Sequence, residues 1–212
     1  MQPREKLRQI PPTVAAVADY EPFARERMTA EAWAYIAGGA ADEITLQENI
    51  AAFRRLQLRP RVLQDLSGGS TALDLLGQRF AFPILLAPVA FHRLVHPDGE
   101  LATAMAAAAM GTGLIVSTQA SITLEDIVRQ VRSQGSTAPL WFQLYIQPDR
   151  EFTLNLVRRA EAAGYGALVL TVDAPVNGVR NREQRVGFAL PPGVEPVNRR
   201  GMRPPPATAG RA

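Results

Sequence analysis

The feature that most constrains this chain is a rhythm. Four apolar runs, PILLAPVA (83–90), GLIVST (113–118), PLWFQLYI (139–146) and ALVLTVD (167–173), start about 26–30 residues apart. Each interval carries a helical pattern. Asp98-Gly99-Glu100 opens an Ala-rich stretch that Gly111 closes. Thr123 and Asp126 make a capping-box-like start for a helix to about Ser133. Pro148-Asp149 starts a third helix, with proline tolerated in the first turn, and Gly164 closes it after Ala163. Unbroken apolar runs suit strands covered on both faces. Strand–helix alternation of this kind builds parallel βαβ units with right-handed crossovers.

Two α/β architectures satisfy that rhythm: an open doubly wound sheet and a (β/α)8 barrel. A dinucleotide-binding sheet needs G-x-G-x-x-G after its first strand. The first run is instead followed by PVAFHRLVHPDG. Polar residues recur at the strand ends: Ser117, Gln143 with Tyr145, and Thr171 with Asp173. A barrel places its active site at that end. A barrel has eight strands, and four are countable here, so the expectation is the first half of one. Its two open parallel edges should pair, swap or aggregate.

The preceding residues have a different texture. Residues 1–28 read as a loosely attached helical lead-in. Thr29 precedes AEAWAYIA, a helix that Gly38 and Gly39 should stop. A second helix is expected from Asp42 to Phe53, broken before Arg59-Pro60-Arg61. TALDLLGQRFAFP reads as a hairpin turning at Gly77-Gln78.

Composition removes several function classes. With no cysteine there is no thiolate nucleophile, disulfide framework or Cys-based zinc site, and two histidines cannot build a His-rich metal centre. No run approaches the roughly 18 apolar residues of a membrane span, and MQPREKLRQI lacks the apolar core of a signal peptide. A soluble cytoplasmic protein is the default expectation. The net charge of +3 resides wholly in residues 191–212, where Arg199, Arg200, Arg203 and Arg211 face one Glu195. A uniformly basic nucleic-acid surface is therefore not indicated. Six of those 22 residues are proline, so they read as a solvated tail of low order.

Each candidate side chain has a functional and a structural reading. Tyr35 is either a half-buried core tyrosine or a phenol that donates to a bound acid. Pro88-Val89-Ala90 would let a planar ligand approach the backbone. Ser117, Gln143 and Thr171 could read the edge of a heteroaromatic ring by its donor and acceptor pattern, or could be turn residues. Gln143 and Tyr145 are two apart and share a strand face. Asp173 could orient a catalytic His or Arg, or cap a loop. Arg180 suits bidentate capture of a carboxylate, or belongs with Arg182 and Arg185 to a solvated basic loop. His92 and His96 read as loop structure rather than metal ligands or a general base.

Several segments in order resemble the FMN-dependent α-hydroxy acid oxidase and dehydrogenase family, which includes glycolate oxidase, lactate oxidase, mandelate dehydrogenase and hydroxymandelate oxidase. They are AYIAGGAADEITLQEN, LRPRVL, PILLAPVA, HPDGELATA, WFQLYI, RRAEAAGYGALVLTVDAP and NREQRVGFALPP, within about residues 25–195. APVAFHRLVHPDGE is most similar to the hydroxymandelate oxidase branch. The resemblance implies a (β/α)8 barrel with FMN at its C-terminal face, here about the first four βα units after N-terminal helices and a hairpin. It implies substrate-carboxylate roles for Tyr35 and Arg180, and a backbone facing the flavin at Pro88, Val89 and Ala90. It further implies bonds to the isoalloxazine ring from Ser117, Gln143 and Thr171. Tyr145 would lie near the substrate hydroxyl, and Asp173 would pair with the catalytic histidine. Ala90, where some members have glycine, looks oxidase-like, with oxygen as acceptor and hydrogen peroxide as product.

The family's histidine base, flavin-side lysine, second carboxylate-binding arginine and phosphate site lie later in the chain than these residues reach. The resulting division is a lead-in (1–28), the N-terminal half of an FMN-dependent barrel (29–190) and a Pro/Arg-rich tail (191–212). The expected activity is oxidation of a lactate-like or mandelate-like 2-hydroxy acid, given a complementing C-terminal half or assembly between copies. The rival expectation is an inactive half-barrel serving as an interaction or scaffold subunit.

Overall fold

The computed structural model describes residues 5–173 and 177–203. The chain divides into two compact units, one of residues 1–70 and 175–190, the other of residues 71–174 and 191–212. This division differs from the three consecutive blocks expected. The lead-in shares a unit with the helices that follow it, and the tail belongs with the strands.

The second unit contains the rhythmic part. Its sheet is parallel, in the order β3 (Leu85–Leu86), β4 (Gly113–Val116), β5 (Leu140–Leu144), β6 (Ala167–Leu170). The register pairs Leu86 with Leu114, Val116 with Phe142, and Leu144 with Leu170. Helices α4 (Glu100–Ala109), α5 (Leu124–Ser133) and α6 (Arg150–Ala163) connect successive strands. The expected strand over residues 83–90 shrinks to two residues. Pro83 and Pro88 bracket it without an N–H to give to a ladder.

Burial follows helical periodicity. In α5 the buried residues are Leu124, Ile127, Val128 and Val131. They pack with Phe142, Leu140, Leu156 and Ala160 into one continuous core. Every residue of β5 is buried, as expected of a strand covered on both faces. The caps are those read from the sequence. The Thr123 side chain accepts from the Asp126 amide, and Asp149 accepts from the amides of Glu151 and Phe152.

The hairpin of β1 (Leu73–Leu75) and β2 (Gln78–Phe80) covers the starting ends of these strands. Trp141 Nε1 donates to Gln78 Oε1 at 3.2 Å, and the Phe80 and Trp141 rings meet edge to face. Two glycines permit this approach. A Cβ on Gly113 would lie 2.9 Å from the Phe80 ring, and one on Gly166 would lie 2.4 Å from the Gln78 amide.

The expectation of a low-order tail is corrected through Arg203; residues 204–212 lie outside the described ones. Val197–Arg199 forms a 3-10 turn with Val197 and Asn198 buried. Asn198 Oδ1 accepts from the Leu124 amide at 3.0 Å, and its Nδ2 donates to the Ile122 carbonyl. One polar side chain thus ties this proline-rich segment to the start of α5. Nearby, Arg159 pairs with Glu125 at 2.7 Å and holds that carboxyl below the usual range.

The first unit is helical: α1 (Tyr20–Arg25), α2 (Ala30–Ala37), α3 (Ile44–Arg55) and α7 (Asn181–Val186). The Thr29 side chain caps α2 by accepting from the Ala32 amide, and Gly38 follows its end. Helix α7 corrects the expectation of a loop around Arg180. The Ala41 amide donates to the Val179 carbonyl at 2.7 Å, and Asn181 Nδ2 donates to the Ala41 carbonyl. These bonds pin the segment, and the run NREQRV then closes a short helix.

Asn198→Ala should cost about 1–3 kcal/mol, because it strands the Leu124 amide and the Ile122 carbonyl. Urea unfolding of the two proteins checks this. A shift of under a few tenths of a kcal/mol would mean that residues 191–203 do not hold α5.

Candidate active site

The strand ends of the second unit converge on one buried amide. Gln143, the fourth residue of β5, is 1% exposed. Its Oε1 accepts from Ser117 Oγ at 3.3 Å and from the Thr118 amide at 3.1 Å. Its Nε2 donates to Thr171 Oγ1 at 2.8 Å. The three side chains singled out in the sequence therefore form a chain across the ends of β4, β5 and β6. Thr118 was missed. It is fully buried, its hydroxyl donates to the Gln143 carbonyl at 2.6 Å, and it accepts from the Tyr145 amide. Its adjacency to Ser117 was the available signal.

This row retains hydrogen-bonding capacity. Both acceptor positions of Oε1 are filled, while Nε2 has a second N–H beyond the one given to Thr171. The Thr171 hydroxyl accepts from Gln143, and among the described residues its own proton has no acceptor. Spare donors on a polar strand-end row suit a heterocycle edge bearing carbonyl and imine acceptors, as the pyrimidine edge of an isoalloxazine does. The donor set therefore fits a flavin.

Pro88, Val89 and Ala90 leave the C-terminal end of β3, with Val89 exposed. The loop behind them is firmly built. Phe91 is buried with φ +55, a region costly for an aromatic residue. Its amide donates to the Gln119 carbonyl. Glu100, read from sequence only as a helix opener, is 2% exposed. Its carboxylate accepts from the His92 amide at 3.1 Å, the Ser121 amide at 2.8 Å and the Ser121 hydroxyl at 2.7 Å. It thereby stitches the loop after β3 to the loop after β4. His92 completes the stitch. Its Nδ1 lies 3.0 Å from Thr103 Oγ1, and the ring also bonds the Val89 carbonyl. The reading of His92 as loop structure agrees with these contacts. Tyr145 is half-buried just beyond β5, and Asp173 is exposed at the end of a described stretch.

Tyr35 and Arg180 meet within the first unit. Arg180 Nη2 donates to the Tyr35 carbonyl at 2.8 Å, and its Nε pairs with Glu183. The guanidinium is thus held in place by these two contacts. The Tyr35 ring stacks on Phe188, centroids 4.9 Å apart.

Burial holds the His92 pKa below the usual imidazole value, despite the opposing pull of Glu100 and the Val89 bond. The unfolded chain then takes up a proton at higher pH than the folded one, so stability falls as pH drops through the ordinary imidazole range. The melting temperature should be lower at pH 5.5 than at pH 7.5, and His92→Gln should shrink that difference. An unchanged pH dependence in the variant would exclude this role for His92.

The family profile described as FMN-dependent dehydrogenase matches residues 24–211. An L-lactate oxidase of Nostoc sp. is 51% identical over 180 residues, covering 85% of this chain and 49% of its own length. A 4-hydroxymandelate oxidase of Amycolatopsis orientalis is 43% identical over 186 residues, 88% of this chain and 50% of its own. A mandelate oxidase variant solved with (S)-mandelic acid superposes with a TM-score of 0.82 at 42% identity, over 88% of this chain and 54% of that one. Another structure of a mandelate oxidase variant holds a C4a-OH-FMN adduct. The chain spans about half the length of the curated relatives it matches, and its sheet corresponds to part of a TIM barrel. By profile, identity and fold together, it belongs to the FMN-dependent dehydrogenase family, whose cofactor is FMN.

Proposed function

We propose that this chain supplies the flavin-edge and substrate-carboxylate parts of an FMN-dependent 2-hydroxy acid oxidase. A lactate-like or mandelate-like acid would be oxidised to a 2-oxo acid, with oxygen as the electron acceptor and hydrogen peroxide as product. The observation that carries the reading is the Ser117–Gln143–Thr171 row with its unused donors. When bound, FMN supplies the two-electron redox chemistry. The protein's contribution is position and charge. Gln143 and Thr171 would donate to the acceptor edge of the flavin. Ser117 holds Gln143 in register, and the backbone of Pro88, Val89 and Ala90 lines the approach. Arg180, fixed by Glu183 and the Tyr35 carbonyl, would bind the substrate carboxylate through Nη1 together with the Tyr35 phenol. Tyr145 would bond the substrate hydroxyl, and Asp173 would orient the proton acceptor.

We assign that proton acceptor to a group outside these 212 residues. His92 is committed to Thr103 and Val89. A positioned general base typically contributes about 10²–10⁴-fold, and the rest of the barrel would supply it. The sheet supports this need. Leu168, Leu170 and Val172 are exposed on and just after the last strand, β6. An apolar parallel edge is a template for a further strand, and we propose that a complementing half or a second copy supplies it. Among the described residues no helix is long and apolar enough to cross a membrane. A cytoplasmic location is part of the same reading.

The test is the visible spectrum after incubation with excess FMN and desalting. It is recorded for the chain alone and after co-refolding with the C-terminal half of a related lactate oxidase. The complemented sample should retain a flavin band that bleaches anaerobically with L-lactate or mandelate. Gln143→Leu should weaken flavin retention about tenfold, as expected from about 1.4 kcal/mol of lost hydrogen bonding. A complemented sample that stays colourless would overturn the reading. A discrete flavin-free oligomer would instead favour the scaffold role.

A further inference from the structure

We propose that the cavity between α1, α2 and α7 is a second ligand site, selective for an aromatic carboxylate and separate from the acid-binding pair Tyr35 and Arg180. The cavity holds about 480 Å³ and lies wholly within the first unit. That volume falls in the range of small-molecule sites, roughly 300–1,000 Å³. Three of its walls carry guanidinium groups: Arg25, Arg182 and Arg185. The rest is mostly apolar, from Trp33, Met28 and Val186.

The charges around it do not cancel. Arg182 is paired with Glu43 at 2.5 Å, and Glu43 also accepts from the Gly39 amide. Arg25 and Arg185 have no carboxylate partner among the described residues. Of the three lining cations, Arg182 alone has a carboxylate partner among the described residues. Arg25 sits over the Trp33 ring, 5.5 Å from its centroid, which places a cation beside a flat apolar wall. A planar guanidinium binds a carboxylate through paired N–H bonds. An aromatic ring against Trp33 with its acid group between Arg25 and Arg185 satisfies both features at once. A small acid such as lactate would fill little of the volume, and a neutral aromatic compound would leave the cations unmet.

The test uses the full 212-residue chain without FMN, so its outcome is independent of the flavin reading. Isothermal titration with 2-naphthoate should show saturable binding at one site per chain, with a Kd of about 0.01–1 mM. The neutral 2-naphthamide should bind at least about tenfold more weakly, the loss of one charge-assisted contact. Arg25→Gln and Arg185→Gln should each weaken 2-naphthoate about fivefold or more. Arg150→Gln, on α6 in the second unit, should leave it unchanged. Both site arginines are exposed, and an unchanged circular dichroism melt verifies that the variants fold. No saturable heat, equal binding of the amide, or unaltered affinity in both site variants would each overturn the proposal.

Discussion

The structure of the second unit depends on the satisfaction of one buried amide. A Gln143 side chain withdrawn from water would cost several kcal/mol if left without partners. Partners exist only when β4, β5 and β6 lie in the observed register. Ser117 Oγ and the Thr118 amide come from one side, and Thr171 Oγ1 from the other. A one-residue slip of a strand would turn its side chains to the opposite face and leave the amide bare. The apolar core supplies most of the driving force, but it is indifferent to small shifts. The glutamine is not, and so the same group proposed to meet a flavin edge also fixes the strands that present it.

The two ends of the sheet are built by different physics. At the starting end, packing dominates: Phe80 and Gln78 lie over Gly113, Trp141 and Gly166, where a single added Cβ has no room. At the opposite end, buried hydrogen bonds dominate. The Glu100 carboxylate collects donors from His92 and Ser121, and it can do so without a buried cation because three neutral N–H and O–H groups share the charge. Such an arrangement is directional. It sets where the loop after β3 runs, including the backbone at Pro88 to Ala90, and it offsets the unfavourable left-handed conformation of Phe91.

Much of this was legible in the sequence because it is local. Alternation of apolar runs with capped helical stretches located four strands and three crossovers, and Thr123, Asp149 and Gly164 act where their chemistry says they should. Ser117, Gln143 and Thr171 stood out because polar residues at the ends of otherwise apolar strands need a reason to be there. What escaped detection is non-local. Asn198 bonds a helix start 74 residues earlier in the chain, and nothing in PPGVEPVNRR signals that partner. Glu100 looks like any acid in the first turn of a helix; only the fold reveals that its carboxylate is buried and shared. The helix Asn181–Val186 escaped for a related reason, since bonds to residues 35–43 hold it rather than its own propensity.

The edge of the sheet shows why the arrangement of these residues points outward. In an antiparallel sheet, an outer strand can alternate apolar and polar side chains and leave one face to water. A parallel sheet made by βαβ crossovers buries both faces, so its strands are apolar throughout. β6 follows that rule in sequence, as ALVL running into Val172, but the exposure of Leu168, Leu170 and Val172 does not match it. β5, with a neighbour on each side, is buried along its whole length. Leu168, Leu170 and Val172 are two apart and share one face of the sheet, so the difference is that this face of β6 is uncovered. The apolar character of this face suits an element packed on it, and the hydroxyl of Thr171 continues the polar row past Gln143.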